Sequence, residues 1–482
     1  MEESASPESI TAKKAENFSE WYIQSIIKSG FVDYSDVSGS IIFLPPSYFI
    51  WHTISNAIDS EFKAAGIEDA YFPLLIPEKM LKKESEHFKG FVPEVAWVTE
   101  TGSTKLEERL AIRPTSETLM YTSYSKWIRS WRDLPLRYNQ WNNVLRWEFK
   151  HPTPLIRSRE FLWNEGHSVF ATEEEALAER DQILGIYSKV LKEYLAIPGI
   201  IGRKSDNEKF AGAVASYSIE HIMPDGWAIQ GPDHHYDGQN FSKAFDIKFL
   251  DKQGSMSYAY QNTFAISTRE LAVLVATHGD DHGLIIPPKV AYIQIVIVPI
   301  YRKGNQAIVN TYSNRVYDQL KDKFRVKIDD RESYSPGFRY NQWEIRGIPI
   351  RIEIGERDIS SDSVTVVRRD TGEKKQIQSA GMLAEIEKTM TSIHENLYNR
   401  ACEFLKNNTH TADTYQDLKL ILKEKGGIIT APWCGETECE LKVKEETSAK
   451  ITNIPIKQEK FGDKCIVCGK KSKVAANFAR SY

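Results

Sequence analysis

The chain has 482 residues, 41% of them hydrophobic and 27% charged, with a net charge of -4 at neutral pH. It is too long for one ordinary core, and at roughly 100–200 residues per domain about three are expected. No apolar run approaches the roughly 20 residues that span a bilayer, and the acidic balance excludes nucleic-acid binding by an overall basic coat, so any RNA contact must use local patches.

The leader MEESASPESITAKKAEN is polar and lacks the apolar core of a signal peptide, which points to a cytosolic protein. Apolar spacing predicts helices over 18–28 and 47–65, the second ended by Gly66, and a short strand over 71–76 closed by Pro77. From Arg137 to Phe170 aromatic, apolar and charged residues alternate as in a hairpin with a long basic loop. Thr172 and Glu175 make a capping-box pattern ahead of a helix that Pro198 terminates, and 268–276 reads as a short helix.

Pro287 and Pro288 mark the clearest boundary, just before the buried-strand run VAYIQIVIVPI. Beyond it 310–320 is helical, RVKIDD and PIRIEIG are strands, and VTVVRRDTGEKKQIQ is a hairpin turning at Asp370 to Gly372, which together make an α/β module. A long helix follows, with Leu383, Ile386, Met390, Ile393, Leu397, Ala401 and Leu405 on one stripe; Cys402 beside it reads as a small core residue. The pentapeptide RYNQW occurs at both Arg137 and Arg339, but the flanks differ and no repeat is inferred.

Two patterns carry chemistry. Cys434, Cys439, Cys465 and Cys468 form two close thiol pairs, CGETEC and CIVCG, about 25 residues apart. Four thiolates at such spacing suit a closed, structural Zn²⁺ site. In RWEFKHPTPLIRSREFLWNEGH, Arg146 and Glu148 are two apart and, on a strand, would face the same side, while Arg157, Arg159, Phe161, Trp163 and Glu165 follow. Guanidinium groups bind phosphate oxygens bidentately, and a Phe face can stack a purine.

This hairpin resembles motif 2 of class II aminoacyl-tRNA synthetases. With AIRPTSETLMY before it, GQNFSKAFDIKF after it, then RESYSPGFRYNQWEIRGIPIRIEIGERD, VRRDTGEK and the terminal ARSY, the chain is similar to prolyl-tRNA synthetases of the archaeal and eukaryotic type from about Phe18 onward. The resemblance implies an α+β class II catalytic core, an antiparallel sheet with helices, over 18–286 after a leader of 1–17. It further implies an α/β anticodon-binding domain over 287–400 and a small zinc-binding α+β domain over 401–482. Only about 65 residues separate Glu165 from Gln230, too few for an inserted editing domain. The implied activity is ATP-dependent attachment of proline to tRNA(Pro) through a prolyl-adenylate, by a cytoplasmic homodimer with Mg²⁺ bound to ATP.

By the same resemblance Arg146 bridges the amino-acid carboxylate and the α-phosphate. Glu148 accepts from the adenine amino group, Arg157 and Ser158 reach the terminal phosphates or adenine, and Phe161 stacks on the base. Arg269 in ISTRE holds the γ-phosphate, with Gln230 and Ser267 at further ATP and Mg²⁺ positions. Thr115 and Glu117 receive the imino group, and Trp163, Glu165, Phe210 and His235 wall the proline pocket, although Thr115 and Glu117 also suit a plain helix N-terminus. Glu344, Arg351 and Arg357 contact the anticodon, and Arg368 and Arg369 add local positive charge.

The chain departs from the family pattern at Val214 and Ala215 after KFAGA, and at Asp233, Tyr236 and Asp237 in GPDHHYD, where His234 is an alternative to His235. These departures leave room for another small amino acid or acceptor. A catalytically silent tRNA-binding protein is the third reading, against which stand the converging arginines.

Overall fold

A computed structural model describes residues 9–87, 94–148, 150–458 and 461–482. Asn17 caps the helix Phe18–Lys28 by accepting from the Glu20 N–H at 3.1 Å, and the stripe Trp21, Tyr22 and Ile26 is fully buried. Pro45–Ala64 opens with proline at N1, where the missing N–H costs nothing, and Gly66 ends it at φ +78°. The Thr172 capping box is present in both directions: Glu175 N–H donates to Thr172 Oγ1 at 3.3 Å and Thr172 N–H to Glu175 Oε2 at 3.2 Å. The helix Arg269–His278 is apolar nearly all round and buried throughout its middle, as a core helix must be.

These helices pack on a largely antiparallel sheet of eleven strands. Its order is Thr409–Thr411, Ile428–Trp433, Val474–Ala479, Lys450–Pro455, Ile200–Arg203, Ala215–Ile222, Ala228–Gly238, Tyr260–Ser267, Glu160–Phe170, Leu136–Leu145 and Glu68–Asp69. The C-terminal strands therefore continue the catalytic sheet, joined where Ile454 and Pro455 pair with Arg203 and Gly202. A separate five-stranded mixed sheet carries the second domain, in the order Val326–Ile328, Ile295–Pro299, Ile350–Ile354, Ser363–Arg368, Lys374–Gln378. Ile295–Pro299 and Ile350–Ile354 pair in parallel and are buried on both faces; IVIVP is apolar throughout, whereas IRIEI alternates and buries Arg351 and Glu353 as an ion pair. Among the described residues no helix is long and apolar enough to cross a membrane.

Two expectations are corrected. Residues 71–76 do not form a strand: only Leu75–Pro77 pairs, because the Phe72 N–H is taken by the Gln140 side chain at 2.8 Å. The first hairpin strand stops at Leu145, so Arg146 and Glu148 leave it in a turn. In a stretch to which no element was assigned, Pro336–Ile345 is a helix, capped by Ser335 accepting from the Phe338 N–H at 3.2 Å. RYNQW is thus a strand at 137–141 and a helix at 339–343.

His278 ends its helix with Nε2–H donating to the Leu195 carbonyl at 2.8 Å, and burial pushes its pKa down to about 4. The folded protein holds this ring neutral, whereas the unfolded chain protonates it from about pH 6.5 downward. Its stabilising contribution is therefore complete above about pH 6.5 and is lost as pH falls towards about 4, at up to about 1.4 kcal/mol per pH unit. Denaturant unfolding across that range should show the decline, and His278→Gln, which keeps an N–H donor but does not titrate, should flatten it.

Candidate active site

Strand register builds the site. On Glu160–Phe170, Trp163, Glu165 and His167 alternate onto one face. Glu165 lies opposite Gln140 and Ala265, and Ala265 opposite Asp233. One rung along, His167 lies opposite Thr263, Thr263 opposite His235, and His235 opposite Ser216. These two rows, Gln140 apart, line a cavity of about 380 Å³, with Thr115, Glu117, Arg146, Glu148, Phe210 and Gln230 also around it. Gly166 lies between the rows, where any Cβ would meet the Phe264 ring at 2.0 Å.

At one end sits a buried acidic pair. Glu165 accepts from Ser116 N–H at 3.0 Å, Gln140 Nε2 at 2.8 Å and Asn142 Nδ2 at 2.7 Å, with His167 Nε2 at 3.5 Å. Burial alone would push this carboxyl up, but His167 and the Ser116 and Asn142 donors outweigh it and hold it below the usual carboxylate range. Glu117, which accepts from Thr115 Oγ1, is raised, first by burial and then by the charge of Glu165. The two carboxyls are thus held unequally, Glu165 giving up its proton more readily than Glu117. Aromatic walls stand nearby: Phe210 stacks on His235 at 4.7 Å between centroids and 15° between planes, and Trp163 Nε1–H donates to Asn142.

Arg146 lies between the acidic end and the opening. Its Nε–H donates to the Pro114 carbonyl at 3.0 Å, and its guanidinium lies 5.4 Å from the Phe161 ring centroid and 5.1 Å from that of Trp163. Arg269 donates from Nε to the Ile156 carbonyl and from Nη1 to the Gln230 carbonyl, both at 3.1 Å, which ties it to the rim beside Ser267. Ser158 is buried and accepts from the Leu155 N–H, whereas Arg157 is exposed on the loop.

The unusual residues divide by face. Asp233 and His235 point to the cavity: Gln230 Nε2 donates to Asp233 at 2.8 Å, and His235 Nε2 lies 3.7 Å from it. His234 and Tyr236 point the other way, His234 stacking on Phe264 and Tyr236 donating to Glu173 at 2.7 Å. Asp237 is fully buried at the strand's bulge and Val214 is exposed. Reading by spacing did not single out Ser216, Lys204 or Glu208, which also line the cavity; strand register is what brings Ser216 beside His235.

In the second domain Glu344 and Arg351 share another cavity of about 380 Å³ with Arg368, Arg369 and Lys374, while Arg357 lies outside it on an exposed helical turn. Arg351 is paired with Glu344 at 2.6 Å and Glu353 at 3.0 Å. Arg368 binds Asp370 and Arg369 binds Asp280, so the local positive charge they add is largely compensated. In the C-terminal module the four cysteine sulfurs lie within 4.8 Å of one another, with Sγ···Sγ of 3.6 Å for Cys434–Cys439 and 3.7 Å for Cys434–Cys468. Those spacings exceed an S–S bond and match the roughly 3.8 Å edge of a tetrahedron with Zn–S near 2.3 Å.

Family models described as tRNA synthetase class II core domain (G, H, P, S and T), anticodon binding domain, and prolyl-tRNA synthetase C-terminal match residues 97–278, 294–389 and 415–482. The chain is 46% identical to a proline–tRNA ligase of Natranaerobius thermophilus over 97% of both chains. It is 44% identical to that of Cenarchaeum symbiosum over 98% of this chain and 99% of the relative. The crystal structure of prolyl-tRNA synthetase from Cryptosporidium parvum complexed with halofuginone and AMPPNP superposes with a TM-score of 0.96 at 43% identity, covering 99% of this chain and 100% of that one.

Proposed function

The chain belongs to the prolyl-tRNA synthetase family, and from that premise we propose which residues carry each step of its reaction. The enzyme attaches proline to tRNA, driven by ATP. The proline carboxylate attacks the α-phosphate in line, so the protein's work is positioning and charge neutralisation, with no general base required. The observation that carries the assignment is the cavity itself, where an acidic pair, two aromatic walls and one anchored arginine meet.

The cationic imino nitrogen of proline binds Thr115 and Glu117, with the ionised Glu165 behind them supplying negative charge. The ring packs among Trp163, Phe210 and His235. Arg146 spans the carboxylate and the α-phosphate; Glu148 and Phe161 receive the adenine. Arg157, Ser158, Gln230, Ser267 and Arg269 form the phosphate side. Gln230 and Asp233 place side-chain oxygens on the cavity wall, ligands of the kind Mg²⁺ takes, and we assign the magnesium that accompanies ATP to that side. The cysteine cluster fits a structural Zn²⁺, held by Cys434, Cys439, Cys465 and Cys468.

Glu344, Arg351 and Arg357 are proposed to meet the anticodon bases of tRNA(Pro), which present edges and faces when unstacked. Domain limits of 18–286, 287–400 and 401–482, a cytosolic setting and a homodimer complete the reading. Light scattering at the mass of one chain would overturn the dimer.

Purified protein should show proline as the dominant amino acid in exchange of pyrophosphate into ATP without tRNA. A larger signal from another amino acid would overturn the pocket assignment. Phe210→Ala, which removes one aromatic face worth about 1–1.5 kcal/mol, should raise KM for proline roughly tenfold while KM for ATP stays within about twofold.

A further inference from the structure

The loop from Lys204 to Phe210 supplies a wall of the cavity, yet three of its side chains are held by the C-terminal module. Lys204 Nζ donates to the Thr452 carbonyl at 2.8 Å as well as to Glu220 at 2.6 Å. Ser205 Oγ donates to Glu440 at 2.8 Å, and Glu208 pairs with Lys450 at 2.8 Å. Ser205 and Glu440 are buried, so the bond between them is shielded from water and each depends on the other.

From this anchor the contacts run to the pocket. Ser205 accepts from the Glu208 N–H at 3.2 Å and its carbonyl from the Lys209 N–H at 3.0 Å, closing a tight turn. The Phe210 N–H then donates to Ser216 Oγ at 2.9 Å, and the same hydroxyl meets His235 Nδ1 at 2.8 Å. Phe210 and His235, the stacked pair, are therefore fixed by a turn whose outer side is gripped from 235 residues away in sequence.

We propose that the C-terminal module is a positioning device for the amino-acid pocket: Glu440 and Lys450 clasp the Lys204–Phe210 loop and so set the placement of Phe210 against His235. Neither residue lines the cavity; both act through the loop. The proposal rests on the reading of that cavity as the proline site.

The test is proline-dependent pyrophosphate exchange by the full-length enzyme. Glu440→Leu and Lys450→Met should each raise KM for proline about three- to tenfold, the scale of one lost buried hydrogen bond or partly shielded ion pair, with kcat and KM for ATP within about twofold. Glu440→Gln and Lys450→Arg, which keep an acceptor for Ser205 and a cation for Glu208, should restore wild-type KM. Parallel melting should place all four within about 2 °C of wild type. An unchanged KM for proline in both disruptive variants, or equal losses of kcat and stability without rescue, would overturn the clasp. Phe210→Ala is the control: if it leaves KM for proline unaltered, the cavity assignment fails and takes the clasp with it; if it raises KM while the clasp variants do not, only the clasp fails.

Discussion

Replacing Arg146 by alanine is expected to lower kcat for proline-dependent pyrophosphate exchange by about 10²–10³-fold, with tRNA binding preserved. The argument is electrostatic. When the proline carboxylate attacks the α-phosphate, negative charge gathers between two anionic reactants that repel one another, and a fixed cation between them is worth most at that moment. Arg146 is fixed: an anchor through Nε to the Pro114 carbonyl sets the direction of the guanidinium fork without using its terminal Nη donors. The Phe161 and Trp163 rings hold the plane from the sides at 5.4 and 5.1 Å. Because the contact forms mainly in the transition state, kcat and kcat/KM should fall together. Arg146→Lys should recover little, since an ammonium cannot keep the Pro114 bond and span both oxygens at once. Wild-type exchange by Arg146→Ala would remove this residue from the mechanism.

How much of this was legible beforehand depended on whether a signal was local. The capping box at Thr172 and Glu175, the glycine stop of the second helix and the thiol pairs are all local, and each is present as read; the helix itself begins at Pro45, two residues before the expected start. RYNQW shows the limit. At 137–141 Gln140 reaches Glu165 across the hairpin; at 339–343 Arg339 is buried and donates to the Pro299 carbonyl at 2.7 Å while Trp343 donates to Asp329 at 2.8 Å. The same five side chains fit a strand or a helix, and the tertiary partners choose. The Ser-Pro start at Ser335 was the local cue to the second outcome.

The site followed the same division. Residues on the hairpin could be named from spacing because strand alternation places Trp163 and Glu165 together whatever surrounds them. Ser216, Lys204 and Glu208 could not, because their roles come from register with Ala228–Gly238 and from contacts with residues more than 200 positions later. Alternation also answers the unusual GPDHHYD segment in part: Tyr236 turns away from the cavity to Glu173, whereas Asp233 stays in it beside Gln230. Of those two departures, Asp233 alone faces the cavity.

Disrupting the proposed zinc site should have the largest effect on stability. The purified chain is expected to carry about one Zn²⁺, and Cys434→Ala or Cys465→Ala to lose it. Cys434, Cys439 and Cys465 are themselves members of the module's apolar core, alongside Trp433, Val443 and Phe478, so the ion would sit inside the packing. Structural zinc in small domains contributes on the order of 10–16 kcal/mol to folding, more than the total stability of most domains. A variant lacking the ion should therefore melt its module first and become sensitive to proteolysis beyond about residue 408, where the C-terminal strands begin. The damage should not stop there, because Lys450–Pro455 is hydrogen-bonded to Ile200–Arg203 and continues the catalytic sheet. Loss of the module frees the loop that ends in Phe210, so KM for proline should rise in step with zinc release, before exchange activity is lost altogether. Metal-free protein with unchanged melting and unchanged KM would show that the four sulfurs hold the fold without an ion.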